Sequence, residues 1–189
     1  MKIKNVLSLV ICILTVHAAL AQGEKLRYPY LEGFVSVGVI PTFVKDQIHT
    51  EFPPVMLGMN YRLNERYSVG LIAGHTRVRS AADLMNDGDF EQFQNKFYLV
   101  GGRFAVHSTY FEKWDLYGGM NFAYTISHVD ILRGNITLLK KHLNFKPVKG
   151  SFMTSAFLGA RFLIKPKTSL FGEVGYGISL LSFGITRRL

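Results

Sequence analysis

Along most of this chain apolar residues alternate with small or polar ones at a period of two, the spacing that sends successive side chains to opposite faces of a β-strand. The clearest row runs over about Lys113–His128, where Trp114, Leu116, Met120, Phe122, Tyr124 and Ile126 oppose Asp115, Tyr117, Gly119, Asn121, Ala123, Thr125 and Ser127. No helical period fits it. The same reading predicts strands over about Leu31–Val44, Pro54–Leu63, Arg66–Arg79, Gln94–Val106, Ser151–Ile164 and Thr168–Tyr176, with Leu181–Leu189 as the eighth.

Glycine recurs inside these rows. It weakens an ordinary strand, but on the inward face of a small barrel it makes room for large neighbours. Rows of about ten residues, an even strand count and no spanning helix together predict an all-β, eight-stranded antiparallel transmembrane β-barrel in an outer membrane, an up-and-down meander. With both termini periplasmic, the outer connections are Lys45–Pro53, Ser80–Phe93, Val129–Gly150 and a tight one near Gly177. The inner ones are Leu63–Glu65, His107–Glu112 and Lys165–Lys167, shorter than all but the last outer loop, as outer-membrane barrels require. Aromatic residues near strand ends predict two girdles: Tyr30, Tyr61, Tyr67, Trp114 and Phe162 on the periplasmic side, and Phe43, Tyr98, Tyr124 and Tyr176 on the outer side.

The start of the chain accounts for export. Lys2 and Lys4 precede the apolar stretch Val6–Ala18, and Ala19-Leu20-Ala21 supplies a small-x-small cleavage site before Gln22, so residues 1–21 are expected to be a signal peptide and 22–189 the barrel domain. The lone cysteine, Cys12, falls in that leader, which excludes disulfides and thiolate metal sites from the mature chain. The 22 basic residues less the two leader lysines leave 20 against 13 acidic, a formal charge of +7. This balance suits contact with anionic lipid or polysaccharide. Export and the lack of a nucleic-acid-binding motif argue against nucleic acid.

Seven charges occupy predicted inward positions: Glu32, Arg62, Arg103, Asp115, Arg161, Glu173 and Arg188. A bare charge in a narrow interior is costly, and eight strands enclose just enough space for side chains to fill, so these residues are expected to pair into a network that plugs the lumen. The alternative is an arginine-lined ion path.

The third outer connection carries Arg133, Lys140, Lys141, Lys146 and Lys149, with His142 and the apolar Leu138, Leu139, Leu143 and Phe145 interleaved. It reads either as a surface for lipopolysaccharide phosphates or an anionic partner, or as a solvated loop or pair of strand extensions. Asp83, Asp87, Asp89 and Glu91 lack the spacing and closing glutamate of a calcium loop. His49, His75, His107 and His142 have no metal-ligand spacing, so no metal or other cofactor is expected. Ser127, His128 and Asp130 are the one candidate nucleophile-and-base cluster, but neighbours on a strand point to different faces and no catalytic role is assigned.

The run Phe171-Gly172-Glu173-Val174-Gly175-Tyr176-Gly177, followed by Leu181-Ser182-Phe183-Gly184-Ile185-Thr186, resembles the signature of the small outer-membrane β-barrel family of Bacteroidetes-type bacteria, akin to the transmembrane barrel of outer membrane protein A. Arg187 and Leu189 stand where that family has aromatic residues. The resemblance implies a final strand read by the barrel-insertion machinery.

The expected function is therefore that of a monomeric integral outer-membrane barrel with a structural or surface-interaction role through its outer loops. Its expected surroundings are outer-membrane lipid and lipopolysaccharide. A narrow porin-like channel, a lipid A modifying enzyme and a soluble lipocalin-like barrel are the alternatives.

Overall fold

A computed structural model describes residues 27–42, 48–80, 92–108, 113–133 and 148–189, with the backbone alone for Ile48, Ser80, Gln92, Phe93 and 131–133. The expected leader lies outside them. The described residues form eight strands: β1 (Tyr30–Gly38), β2 (Ile48–Arg62), β3 (Tyr67–Ser80), β4 (Gln92–His107), β5 (Trp114–Arg133), β6 (Val148–Lys165), β7 (Thr168–Gly175) and β8 (Leu181–Arg188). Each pairs antiparallel with its neighbours, and β8 closes on β1 from Glu32↔Arg188 to Gly38↔Ser182, so no strand edge remains open.

Alternation sets which face each residue takes. On β3, Tyr67, Val69 and Leu71 are exposed while Ser68 and Ile72 are buried. Leu71, Leu158 and Phe152 reach 71 %, 72 % and 86 % exposure, within an apolar band that covers the outside of every strand. A soluble monomer seldom shows an apolar patch above about 300–600 Å². The interior holds three buried ion pairs while the outside is banded with apolar residues, so the polarity is the reverse of a lipocalin-like barrel and that alternative is set aside.

The strand ends flanking 63–66 and 166–167, the β4–β5 ends at His107 and Trp114, the start of β1 and the end of β8 lie at one end of the barrel, here called the turn end; the opposite strand ends, with residues 39–42 and 176–180, lie at the loop end. Several strand bounds differ from those predicted. β1 stops at Gly38 instead of Val44, because the chain turns in to meet the last loop: Val39 N donates to Leu181 O, Leu180 N to Ile40 O, and Pro41 bridges to Ser179. β2 starts at Ile48, not Pro54, since two register shifts between Thr50 and Val55 absorb the Pro53-Pro54 pair as bulges. β5 and β6 likewise run on to Arg133 and back to Val148. The 20-residue β5 is about twice the length that crosses a bilayer, so its loop end projects well beyond the apolar band.

One girdle assignment needs correction. Tyr30 pairs with Arg62 and shares the inward face of Glu32 and Phe34, so it points into the lumen. Tyr61, Tyr67 and Trp114 do lie exposed on the outside, and Phe162 packs on Trp114 with ring centres 4.9 Å apart. Tyr98, Tyr124 and Tyr176 are exposed nearer the loop end, whereas Phe43 lies outside the described residues.

Candidate functional site

The lumen is filled in layers. At the turn end a vestibule of about 260 Å³ opens among Tyr28, Tyr30, Lys113, Trp114, Lys167 and Arg188, with Asp115, Arg62 and Arg161 at its floor. Below that floor the charges pair across the barrel. Arg161 donates to both oxygens of Glu32 at 2.7 and 2.8 Å, and Asn60 Nδ2 donates to Glu32 at 3.2 Å. Arg62 Nη1 donates to Asp115 at 2.9 Å, while its Nε and Nη2 are held by the carbonyls of Asn64 and Glu65 in the β2–β3 turn. Fork-shaped guanidinium groups suit such multiple acceptors.

Deeper in, Arg103 grips both oxygens of Glu173, and Tyr117 Oη donates to Glu173 Oε1 at 2.7 Å. The Arg103 guanidinium lies 3.8 Å from the centre of the Phe157 ring, a cation–π contact that replaces part of its lost hydration. Large rings reach these places because glycines face them. A Cβ on Gly159 would stand 2.5 Å from Tyr117 Cζ, and one on Gly58 would stand 2.5 Å from Phe34 Cε1.

Beside and beyond the Arg103–Glu173 pair, apolar side chains fill the interior together with buried polar ones such as Asn121, Ser155 and Ser182. Phe34, Met56, Ile72, Phe97, Leu99, Ala123, Phe171 and Ile178 form one buried cluster, with Phe34 and Phe171 edge to face. Ile178 and Ser179 belong to the β7–β8 connection but are buried, because that loop folds into the mouth. Ser179 Oγ lies 2.8 Å from Ile40 O and 2.7 Å from Leu181 O. The loop thereby fastens β8 to the end of β1.

The structure thus joins six of the seven inward charges into Glu32–Arg161, Arg62–Asp115 and Arg103–Glu173 pairs. Arg188 stays apart at the rim, bonded to Pro166 O with its guanidinium 5.4 Å from the Tyr30 ring centre. Of the basic loop residues, Lys149 is exposed on β6 and Arg133 ends β5, whereas Lys140, Lys141 and Lys146 lie outside the described residues. So does the acidic stretch around Asp83–Glu91. Ser127, His128 and Asp130 do not assemble: Ser127 Oγ donates to Asn95, while His128 and Lys96 share Asp130.

Sequence reasoning missed His107, which it placed in a turn. His107 is buried at the end of β4, with Nδ1 2.9 Å from Asp115 Oδ2 and Nε2 2.8 Å from Ser68 Oγ. Its position four residues after Arg103, on the same strand parity, was the available signal. The Ser68–His107–Asp115 order is that of a nucleophile, base and orienting acid. However, Ser68 is 3 % exposed and does not line the vestibule, and Arg62 Nη1 crowds Nδ1 at 2.6 Å. This geometry buttresses Arg62 and Asp115. Among the described residues no group of three or more His, Cys, Asp or Glu side chains is arranged to hold a metal.

No family model matches this chain, and no curated protein matches it. Solved structures do. The outer membrane protein OprG from Pseudomonas aeruginosa superposes with a TM-score of 0.54 at 14 % identity, over 89 % of this chain and 98 % of that one. Neisserial surface protein A superposes with a TM-score of 0.51 at 12 % identity, over 85 % of this chain and 97 % of that one. At such identities the likeness is one of fold, and the fold is that of the small, eight-stranded outer-membrane barrels.

Proposed function

We propose that this protein is an integral outer-membrane barrel that neither conducts nor catalyses, and that acts structurally or by surface contact through what it holds above the membrane. The observation carrying this reading is the lumen. Three ion pairs tie β1 to β6, β2 to β5 and β4 to β7, and the apolar cluster with Ile178 fills much of the lumen beside them among the described residues. The lengthened β2–β6 then serve as a platform for the loops they carry. Kinship with Bacteroidetes-type barrels rests on the Phe171–Gly177 run and the final strand. Assembly through the barrel-insertion machinery rests on that same strand.

The test is a planar bilayer. Protein that shows a heat-dependent shift in SDS gels, and so is folded, should give no unit conductance. Regular ion-selective steps would favour the channel reading, which the arginine-lined vestibule supports. For catalysis the discriminating probe is a fluorophosphonate, which should leave Ser68 and Ser127 unlabelled in the folded protein. Labelling of either serine that is lost in His107→Ala or His128→Ala would reinstate an enzyme.

A further inference from the structure

On the outside of the barrel, the apolar face ends abruptly along one rung. Register places Phe52 beside Arg77, Arg77 beside Lys96, and Lys96 beside His128, all on the outward parity of β2–β5. One rung nearer the turn end the same strands carry Val55, His75, Tyr98 and Ile126, with the His75 ring stacked on Tyr98 at 4.5 Å and 5.5 Å from Phe52. The girdle residue Tyr67 lies ten positions before Arg77 on β3. At about 3.3 Å rise and about 40° tilt, that interval climbs roughly 25 Å, the height of the apolar band of an outer-membrane barrel. The basic rung therefore sits where acyl chains give way to headgroups.

Among the described residues the outward charges at this level lie on β2–β5, with Lys149 exposed beside them on β6. Toward the loop end the outward positions of β1, β7 and β8 are Val35, Val37, Val174, Tyr176 and Phe183, without a charge among them. On β2–β5, Lys96 Nζ and His128 Nε2 share Asp130 at 2.7 and 3.1 Å, and Arg79 pairs with Glu51. Arg77 has no ion pair among the described residues, and its Nε is buried without a hydrogen-bond partner. An outward arginine at headgroup height, flanked by a lysine and a histidine, with aromatic rings below, is built for a phosphate whose acyl chains run down the barrel wall.

We infer that the Arg77–Lys96–His128 rung binds a phosphate group of an outer-leaflet glycolipid, the lipid A moiety of lipopolysaccharide. This rests on the proposed reading that the outward face meets lipid and the loop end faces outside. The experiment uses the full mature chain in nanodiscs, with bis-phosphorylated lipid A or its phosphate-free form titrated in and bound lipid counted by native mass spectrometry. An SDS-gel heat shift checks folding of every variant.

Arg77→Gln with Lys96→Gln should weaken binding of the phosphorylated lipid by at least about tenfold. Arg187→Gln, outward at the opposite end, should leave it unchanged. Asp130→Asn, which frees Lys96 and His128 from their shared carboxylate, should tighten it, an effect that a purely structural role does not produce. Equal binding of phosphate-free lipid A, or wild-type affinity in the Arg77/Lys96 double variant, overturns the site. Loss of the heat shift in the wild-type protein overturns the membrane reading instead.

Discussion

Removing the Glu32 carboxylate should be among the most damaging single changes this barrel can suffer. Glu32 is 3 % exposed and accepts both inner hydrogen bonds of Arg161 as well as one from Asn60. In Glu32→Leu the nearest remaining acid to Arg161 is Asp115, now 3.9 Å away and already engaged by Arg62 and His107. Breaking a buried pair typically costs about 3–5 kcal/mol, and because Arg161 also borders the vestibule, the lower end of about 3 kcal/mol is expected. Urea unfolding of the refolded protein in lipid vesicles reads this directly. Trp114 is the sole tryptophan and lies outward at the turn end, so its emission follows insertion without added probes. Glu32→Leu combined with Arg161→Leu should recover most of the loss, since apolar residues of similar size often replace a buried pair at little cost. A single-variant loss below about 1 kcal/mol, or a double variant no better than the single, would refute the reasoning, because Arg161 would then be solvated without its partner.

Two further changes probe the packing of the lumen. Gly159→Val places a branched side chain where a Cβ alone would stand 2.5 Å from Tyr117 Cζ, so it should destabilise by about 1–3 kcal/mol in the same unfolding assay, against little effect from Gly33→Val, whose Cβ meets no atom nearer than 4.0 Å. Ile178→Gly with Phe171→Ala thins the apolar cluster at two depths of the lumen, and single-channel recording should detect conductance steps that the wild-type protein lacks; a silent double variant would mean that the ion pairs alone close the lumen.

Period-two alternation made the strand number, the face of nearly every residue and the six paired charges legible, because one face meets lipid and the other a crowded interior. Parity along each strand is then a direct map of inside and outside. What alternation cannot encode is where a strand stops. Pro53-Pro54 reads as a break, yet the ladder survives it through bulges, and the Gly38–Ile40 segment reads as strand but bends to meet Ser179. Partner choice across the lumen was equally hidden. Glu32 finds Arg161 on β6, 129 residues away, instead of Arg188, its neighbour across the β1–β8 ladder, since reach through the lumen follows shear and side-chain length. His107 was misplaced for a related reason: the first residues after an apolar row look like a turn unless parity is carried one step further.

The lumen handles its charges differently with depth, and that difference can be measured. Near the turn end the Arg62, Asp115 and Arg161 groups border a vestibule open to water, which lowers the cost of each imperfect contact. Arg103 and Glu173 border no part of it, and depend on the Phe157 ring and on the Tyr117 hydroxyl. Tyr117→Phe deletes one hydrogen bond to a buried carboxylate and should cost about 1.5–3 kcal/mol, whereas Ser68→Ala deletes a hydroxyl–imidazole bond nearer the vestibule, with no carboxylate in it, and should cost about 0.5–1.5 kcal/mol. Both substitutions remove one oxygen and leave the backbone alone, so their order in urea unfolding isolates depth and charge from packing. If Ser68→Ala proved the costlier, the Ser68–His107–Asp115 chain, and not the Arg103–Glu173 pair, would be the brace on which the interior depends.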